Sequence, residues 1–172
     1  MTMKKSAPSA GLGVVLVGVP PGERAALERF TARDYRVRVA GVDDAAALET
    51  GLATIRTAMD ALRAEAGKVA VVGYGFGGRY AFLAVTRLGA DAAAAFRGAN
   101  IGRHLDESAR VKKPLSFHFA DDDARVPFEE VRAIKGALEG FGTTEIYRYP
   151  VFDDEAARKA EERVFAFLDV LG

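Results

Sequence analysis

The chain has 172 residues, 49% of them hydrophobic and 28% charged, with 24 basic residues against 24 acidic ones. That size suits one domain around a single core, and the balanced charge excludes the basic footprint of a nucleic-acid partner. Cysteine is absent and histidine occurs only at His104 and His118, which excludes disulfides, thiolate metal sites and a cysteine nucleophile and leaves no histidine-rich metal centre to expect.

Residues 1–11 are polar and contain Ser, Ala and Pro, which predicts a flexible N-terminal tail ahead of one domain over 12–172. Lys4 and Lys5 precede the apolar run GLGVVLVGV, as in a signal peptide, but no small-residue cleavage site follows. The run is also too short to span a membrane. It reads as a buried strand, 13–19, of a cytoplasmic protein with no membrane partner.

YRVRVAGV (35–42) is the next strand, with Asp43 and Asp44 expected to cap the helix after it. Leu48, Leu52, Ile55, Met59 and Leu62 fall on one face of that helix. KVAVVGY (68–74) runs into a glycine-rich turn and a third helical pattern, and AAAAFRG (92–98) follows. PLSFHFA (114–120) leads to Pro127, a first-turn residue, and to a helix buried through Val131, Ile134 and Leu138. EIYRYPV (145–151) is the last strand, and Ala157, Ala160, Val164, Phe167 and Leu171 give the closing helix its apolar stripe. Strands alternating with helices, several of them continuous valine-rich runs, predict an α/β fold. The expected form is a doubly wound, mostly parallel six-stranded sheet with helices on both faces. Ligands of such sheets bind beyond the carboxyl ends of the strands, which directs attention to the loops after Val19, Val42, Tyr74, Gly98, Ala120 and Val151.

Gly73, Gly75 and Gly78 fit the G-x-G-x-x-G pattern of a dinucleotide loop. That loop follows the first strand, with an acid about 20 residues on at the end of the second. Here the glycines follow the third strand, and Asp91 precedes the next strand instead of ending it. No nucleotide or other cofactor is expected.

The same stretch, VAVVGYGFGGRYAFLA, together with HLDESARVKKPLSFHFADDDARVP and EIYRYP, resembles the dienelactone hydrolase family of α/β-hydrolases. The resemblance covers roughly residues 12–171. It implies a shortened α/β-hydrolase fold without the first two strands usual there, and a family reaction that hydrolyses lactones or carboxylic esters through an acyl-enzyme. It places the triad acid on Asp123, the nucleophile on Gly75 and the base histidine on Asp154. The family's acidic residue after its first matched strand has no counterpart in VGVPPGE. On that mapping the nucleophile and the base are missing, and the triad is degenerate. Glycine keeps the sharp turn and spares the strain, about 1–3 kcal/mol, that a residue with a Cβ bears there. It offers nothing to deprotonate or acylate.

The expectation is therefore an impaired or inactive hydrolase frame, a pseudoenzyme, binding a small carboxylate or ester. The Phe76 N–H and a second donor near Gly18 or Val19 would hold the anion, with Tyr74 and Phe76 lining the pocket and His104 on its rim. Residual hydrolysis by water activated at Asp123 or Asp154 is the enzymatic alternative. A partner-binding role, including a homodimer through the second strand near a sheet edge, is another. His118 reads as structural. Asp121, Asp122, Asp123, Asp153 and Asp154 read as a solvated loop and a helix N-terminus, so no metal is expected.

Overall fold

Six short strands pair side by side, all in parallel, in the order β2-β1-β3-β4-β5-β6. The computed structural model describes residues 11–21 and 24–171; the expected tail, Gly11 apart, and Gly172 lie outside the described residues. In chain order the elements are β1 (Gly13–Val17), α1 (Arg24–Thr31), β2 (Arg36–Ala40), α2 (Leu48–Arg63), β3 (Val69–Tyr74) and α3 (Gly77–Arg87). Then come β4 (Ala92–Phe96), a 3₁₀ segment (Ile101–Arg110), β5 (Leu115–Ala120), α4 (Phe128–Leu138), β6 (Thr144–Tyr149) and α5 (Asp154–Asp169). All six expected strands are present, each one to three residues shorter than its apolar run. The fourth crossover departs from the expected alternation of strand and α-helix, because Asn100, at φ 66°, turns the chain directly into the 3₁₀ segment.

The two faces of the sheet build two cores by simple alternation. Val15, Val17, Val69, Val71, Ala93 and Ala95 face α2, α3 and α4. Val14, Leu16, Ala70, Val72, Ala92 and Ala94 face α1 and α5, where Phe30, Ala160, Val164 and Leu168 close the layer. β1, β3, β4 and β5 are buried on both sides, which is why they read as unbroken apolar runs. β2 is an edge strand, with Arg36, Arg38 and Val39 exposed.

Two helix assignments need correction. Asp43 does not cap α2: its Oδ1 accepts from the Ala45 N–H at 2.8 Å and closes a separate turn, and the helix begins at Leu48 behind Ala47. An aspartate that bonds its own backbone two residues on makes a turn of this kind. In α5 the buried stripe is Ala156, Ala160, Val164 and Leu168, and the expected Ala157, Phe167 and Leu171 are half-buried beside it. Among the described residues no helix is long and apolar enough to cross a membrane.

Candidate functional site

The turn between β3 and α3 is built by close approach. A Cβ on Gly73 would overlap the carbonyl oxygen of Gly77, one on Gly77 that of Val17, and one on Gly78 the Cα of Gly98. These glycines let helix, strand and neighbouring turn touch through their backbones. Gly75 is different. Its φ of +53° suits glycine, but an added Cβ would meet a single neighbour, Nη1 of Arg125 at 3.3 Å. The Gly75 carbonyl accepts from Gly78 at 3.0 Å and from Ala99 at 2.9 Å, and its N–H donates to the Phe96 carbonyl at 3.0 Å, so the turn is fixed from three sides.

Above it opens a cleft of about 850 Å³ at the carboxyl ends of the strands. Gly18 and Val19 after β1, Tyr74, Gly75 and Phe76 after β3, Phe96 and Arg97 at the end of β4, Arg125 after β5, and Phe152, Asp153 and Asp154 after β6 all line it. Gly18 sits at φ +75°, where a Cβ would come within 2.5 Å of the Tyr74 carbonyl oxygen. Phe76 is the N-cap of α3 and has no side-chain cap; the leading N–H groups of a helix have no acceptor inside it. The structure thus brings together Gly18, Val19, Tyr74, Gly75, Phe76 and Asp154.

Asp123 is placed otherwise. It lies behind the cleft wall with 4% of its side chain exposed, and two guanidinium groups stand between it and the opening. Arg125 donates from Nε to Oδ1 at 3.0 Å and from Nη2 to Oδ2 at 2.9 Å, and its backbone N–H reaches Oδ1 at 3.1 Å. Nε of Arg97 lies 3.3 Å from Oδ2. The hydrogen bonds from Arg125 hold the Asp123 carboxyl below the usual carboxylate range, against the opposing effect of burial. Arg97 is held in the left-handed region, at φ 52°, and its guanidinium carbon stacks 5.6 Å from the centre of the Phe152 ring. A side chain with a Cβ in that region carries strain, which tends to gather at functional sites.

The two histidines stand apart from the cleft. His104 lies on the 3₁₀ segment, which packs against α3 and α4, so the expectation of a rim position is not met. It sits among Glu107, Arg87, Arg79 and Asp106, and burial pushes its imidazole down. His118 is fully buried on β5, with Nε2 2.9 Å from the Ser116 hydroxyl and Nδ1 3.0 Å from that of Tyr149. Arg163 donates to the same Tyr149 oxygen at 3.0 Å. Burial first, and the Arg163 charge second, push the His118 imidazole down to about 3.

Asp121 and Asp153, like Asp123, are each engaged separately. Asp121 pairs with Arg148 at 2.8 Å, and Asp153 caps α5 by accepting from the Ala156 N–H at 2.9 Å. Among the described residues no group of three or more metal-ligating side chains is placed to hold an ion.

Sequence reasoning missed Arg97 and Arg125. Arg125 carried a signal: it follows Asp123 by two residues in a turn, close enough for a local fork onto the carboxylate. Arg97 carried none, because its position depends on a positive φ at the end of β4 and on Phe152 from a distant loop.

Residues 25–169 match the profile of the dienelactone hydrolase family. The carboxymethylenebutenolidase of Pseudomonas putida is 32% identical over 88 residues, 51% of this chain and 36% of that protein. The carboxymethylenebutenolidase of Pseudomonas sp. strain P51 is 27% identical over 147 residues, 77% of this chain and 62% of that protein. The chain thus spans less than two thirds of the length of these curated relatives. Among solved structures, an esterase of Pyrococcus furiosus superposes with a TM-score of 0.77 at 15% identity, over 95% of this chain and 83% of that one. The profile covers most of the chain and the fold agrees with it, so this chain belongs to the dienelactone hydrolase family and has its α/β-hydrolase fold.

Proposed function

We propose that this chain uses the hydrolase frame as a small-ligand cleft and does not run the family reaction, hydrolysis of a lactone or carboxylic ester through an acyl-enzyme. The observation that carries this reading is Arg125 Nη1, 3.3 Å from where a Cβ on Gly75 would stand. At the position onto which the resemblance maps the nucleophile, the chain supplies no attacking atom, and a cation borders the space above it.

The other two triad positions support the same reading. Both oxygens of Asp123 are already bonded by a guanidinium, and a carboxylate held below its usual range is a poor base near neutral pH. Asp154 lies in the first turn of α5, and a carboxylate cannot replace an imidazole that must accept a proton and then return it. Water activation at Asp123 has the same obstacle. A homodimer through β2 rests on its edge position alone, and the arginines exposed there oppose strand addition. A one-chain mass in light scattering removes it.

A fluorophosphonate probe tests the main reading, since it modifies an activated nucleophile covalently. Intact mass spectrometry is expected to show an unchanged mass after incubation. An adduct that maps to the cleft and is lost in Asp123→Ala would overturn the reading.

A further inference from the structure

The Arg97–Asp123–Arg125 group leaves guanidinium N–H groups open towards the cleft. Two guanidinium groups share the Asp123 carboxylate, and the charge of Asp44 also acts on Arg125. Nε and Nη2 of Arg125 are used on Asp123, whereas Nη1 overlooks Gly75. Nη1 and Nη2 of Arg97 hydrogen-bond to nothing among the described residues, and the Arg97 side chain is 41% exposed while lining the cleft. Rings surround these donors: Tyr74 and Phe96 pack 5.0 Å apart, and Phe152 lies under Arg97. Elsewhere in the lining, α5 contributes Asp154, Arg158 and Glu161; Arg158 pairs with Glu162 at 3.2 Å, and Arg29 makes a bidentate pair with Glu161.

We infer that the cleft binds an aromatic monocarboxylate. Its carboxylate sits above Gly75 against the open N–H groups of Arg125 and Arg97, and its ring lies among Tyr74, Phe96 and Phe152. The inference rests on the non-hydrolytic reading above, because it places an anion where the acyl carbon of a substrate would otherwise stand. The open donors accept one carboxylate, and Asp153 and Asp154 in the same lining disfavour a ligand of higher negative charge. Planar guanidinium edges match a carboxylate, and the rings reward an unsaturated body over a bare anion. Gly75 contributes by having no side chain: the carboxylate occupies the room left above it.

Titration of the full chain with benzoate, benzamide and inorganic phosphate tests this, followed by calorimetry and by the amide resonance of Phe76. Benzoate is expected to saturate one site per chain and to bind about tenfold or more tighter than its neutral isostere benzamide or than phosphate. Arg97→Gln and Arg125→Gln each weaken benzoate about tenfold, and Arg125→Lys restores part of the loss because it returns charge without the fork. Circular dichroism confirms that each variant is folded. Phosphate binding tighter than benzoate, or benzoate binding lost in Arg158→Gln and kept in Arg125→Gln, overturns the placement. Absence of benzoate binding in a preparation that also hydrolyses no activated ester overturns this inference alone. Hydrolysis that needs Asp123 overturns the reading beneath it, whatever benzoate does.

Discussion

Replacing Asp123 by alanine is expected to lower the unfolding free energy at neutral pH by about 2–3 kcal/mol, measured by urea denaturation. The carboxylate is almost fully buried and receives three hydrogen bonds from Arg125 and the charge of Arg97. Its removal leaves the Arg125 fork without its partner and Arg97 without its paired carboxylate, with Asp44 the remaining counter-charge acting on Arg125. Breaking a fully buried ion pair costs about 3–5 kcal/mol. Here the arginines are 41% and 52% exposed, and water takes up part of the loss, which lowers the figure. The Asp123 carboxyl is held below the ordinary carboxylate value of 3.8, so its contribution is complete above that value and is lost as pH falls through the lower folded value. A loss under about 0.5 kcal/mol would show that Asp123 is no clamp and is available for chemistry.

The second large effect is acid sensitivity from His118. Folding holds this imidazole at about 3, against an ordinary value of 6.5. Below pH 6.5 the unfolded chain takes up a proton there that the folded chain refuses, so stability is complete above pH 6.5 and falls as pH is lowered towards 3. The slope is about 1.4 kcal/mol per pH unit, several kcal/mol over the whole window and a large share of the stability of a typical domain. His104, also pushed down by burial, adds to the slope with the same sign. Glu107 and Asp123, both held low by arginine, join only nearer pH 4. Urea denaturation at pH 6, 5 and 4 is expected to show this slope in the native chain and a slope smaller by about 1.3 kcal/mol per unit in His118→Gln. Equal slopes in the two proteins would contradict it. The hydrogen-bond chain also assigns the ring protons. Arg163 donates to Tyr149, Tyr149 to Nδ1, and Nε2–H to Ser116, the arrangement in which every proton between these groups has an acceptor.

Much of the frame was legible because buried parallel strands have to be apolar on both sides. GVVLV and VAVVGY could form little else once turn glycines bounded them. The cleft was half legible. Gly18, Val19, Tyr74, Gly75 and Phe76 follow from the rule that ligands meet the carboxyl ends of strands, and all of them line it. His104 misled because the chain after β4 turns away into a 3₁₀ segment packed on α3 and α4, which no periodicity foretold. The arginine pair was hidden for another reason. What makes Arg97 and Arg125 important is a shared carboxylate and a glycine in the turn after a third strand, and the relations of Arg97 to Asp123 and of Arg125 to Gly75 are not local in sequence.

Steady-state hydrolysis by the purified chain tests the central claim most directly. Short activated esters and an unsaturated lactone are offered beside Asp123→Ala and a heat-denatured blank. A nucleophile-free cleft with Arg125 over Gly75 predicts a rate equal to the blank for every substrate. Saturable turnover by the native chain that disappears in folded Asp123→Ala would contradict it.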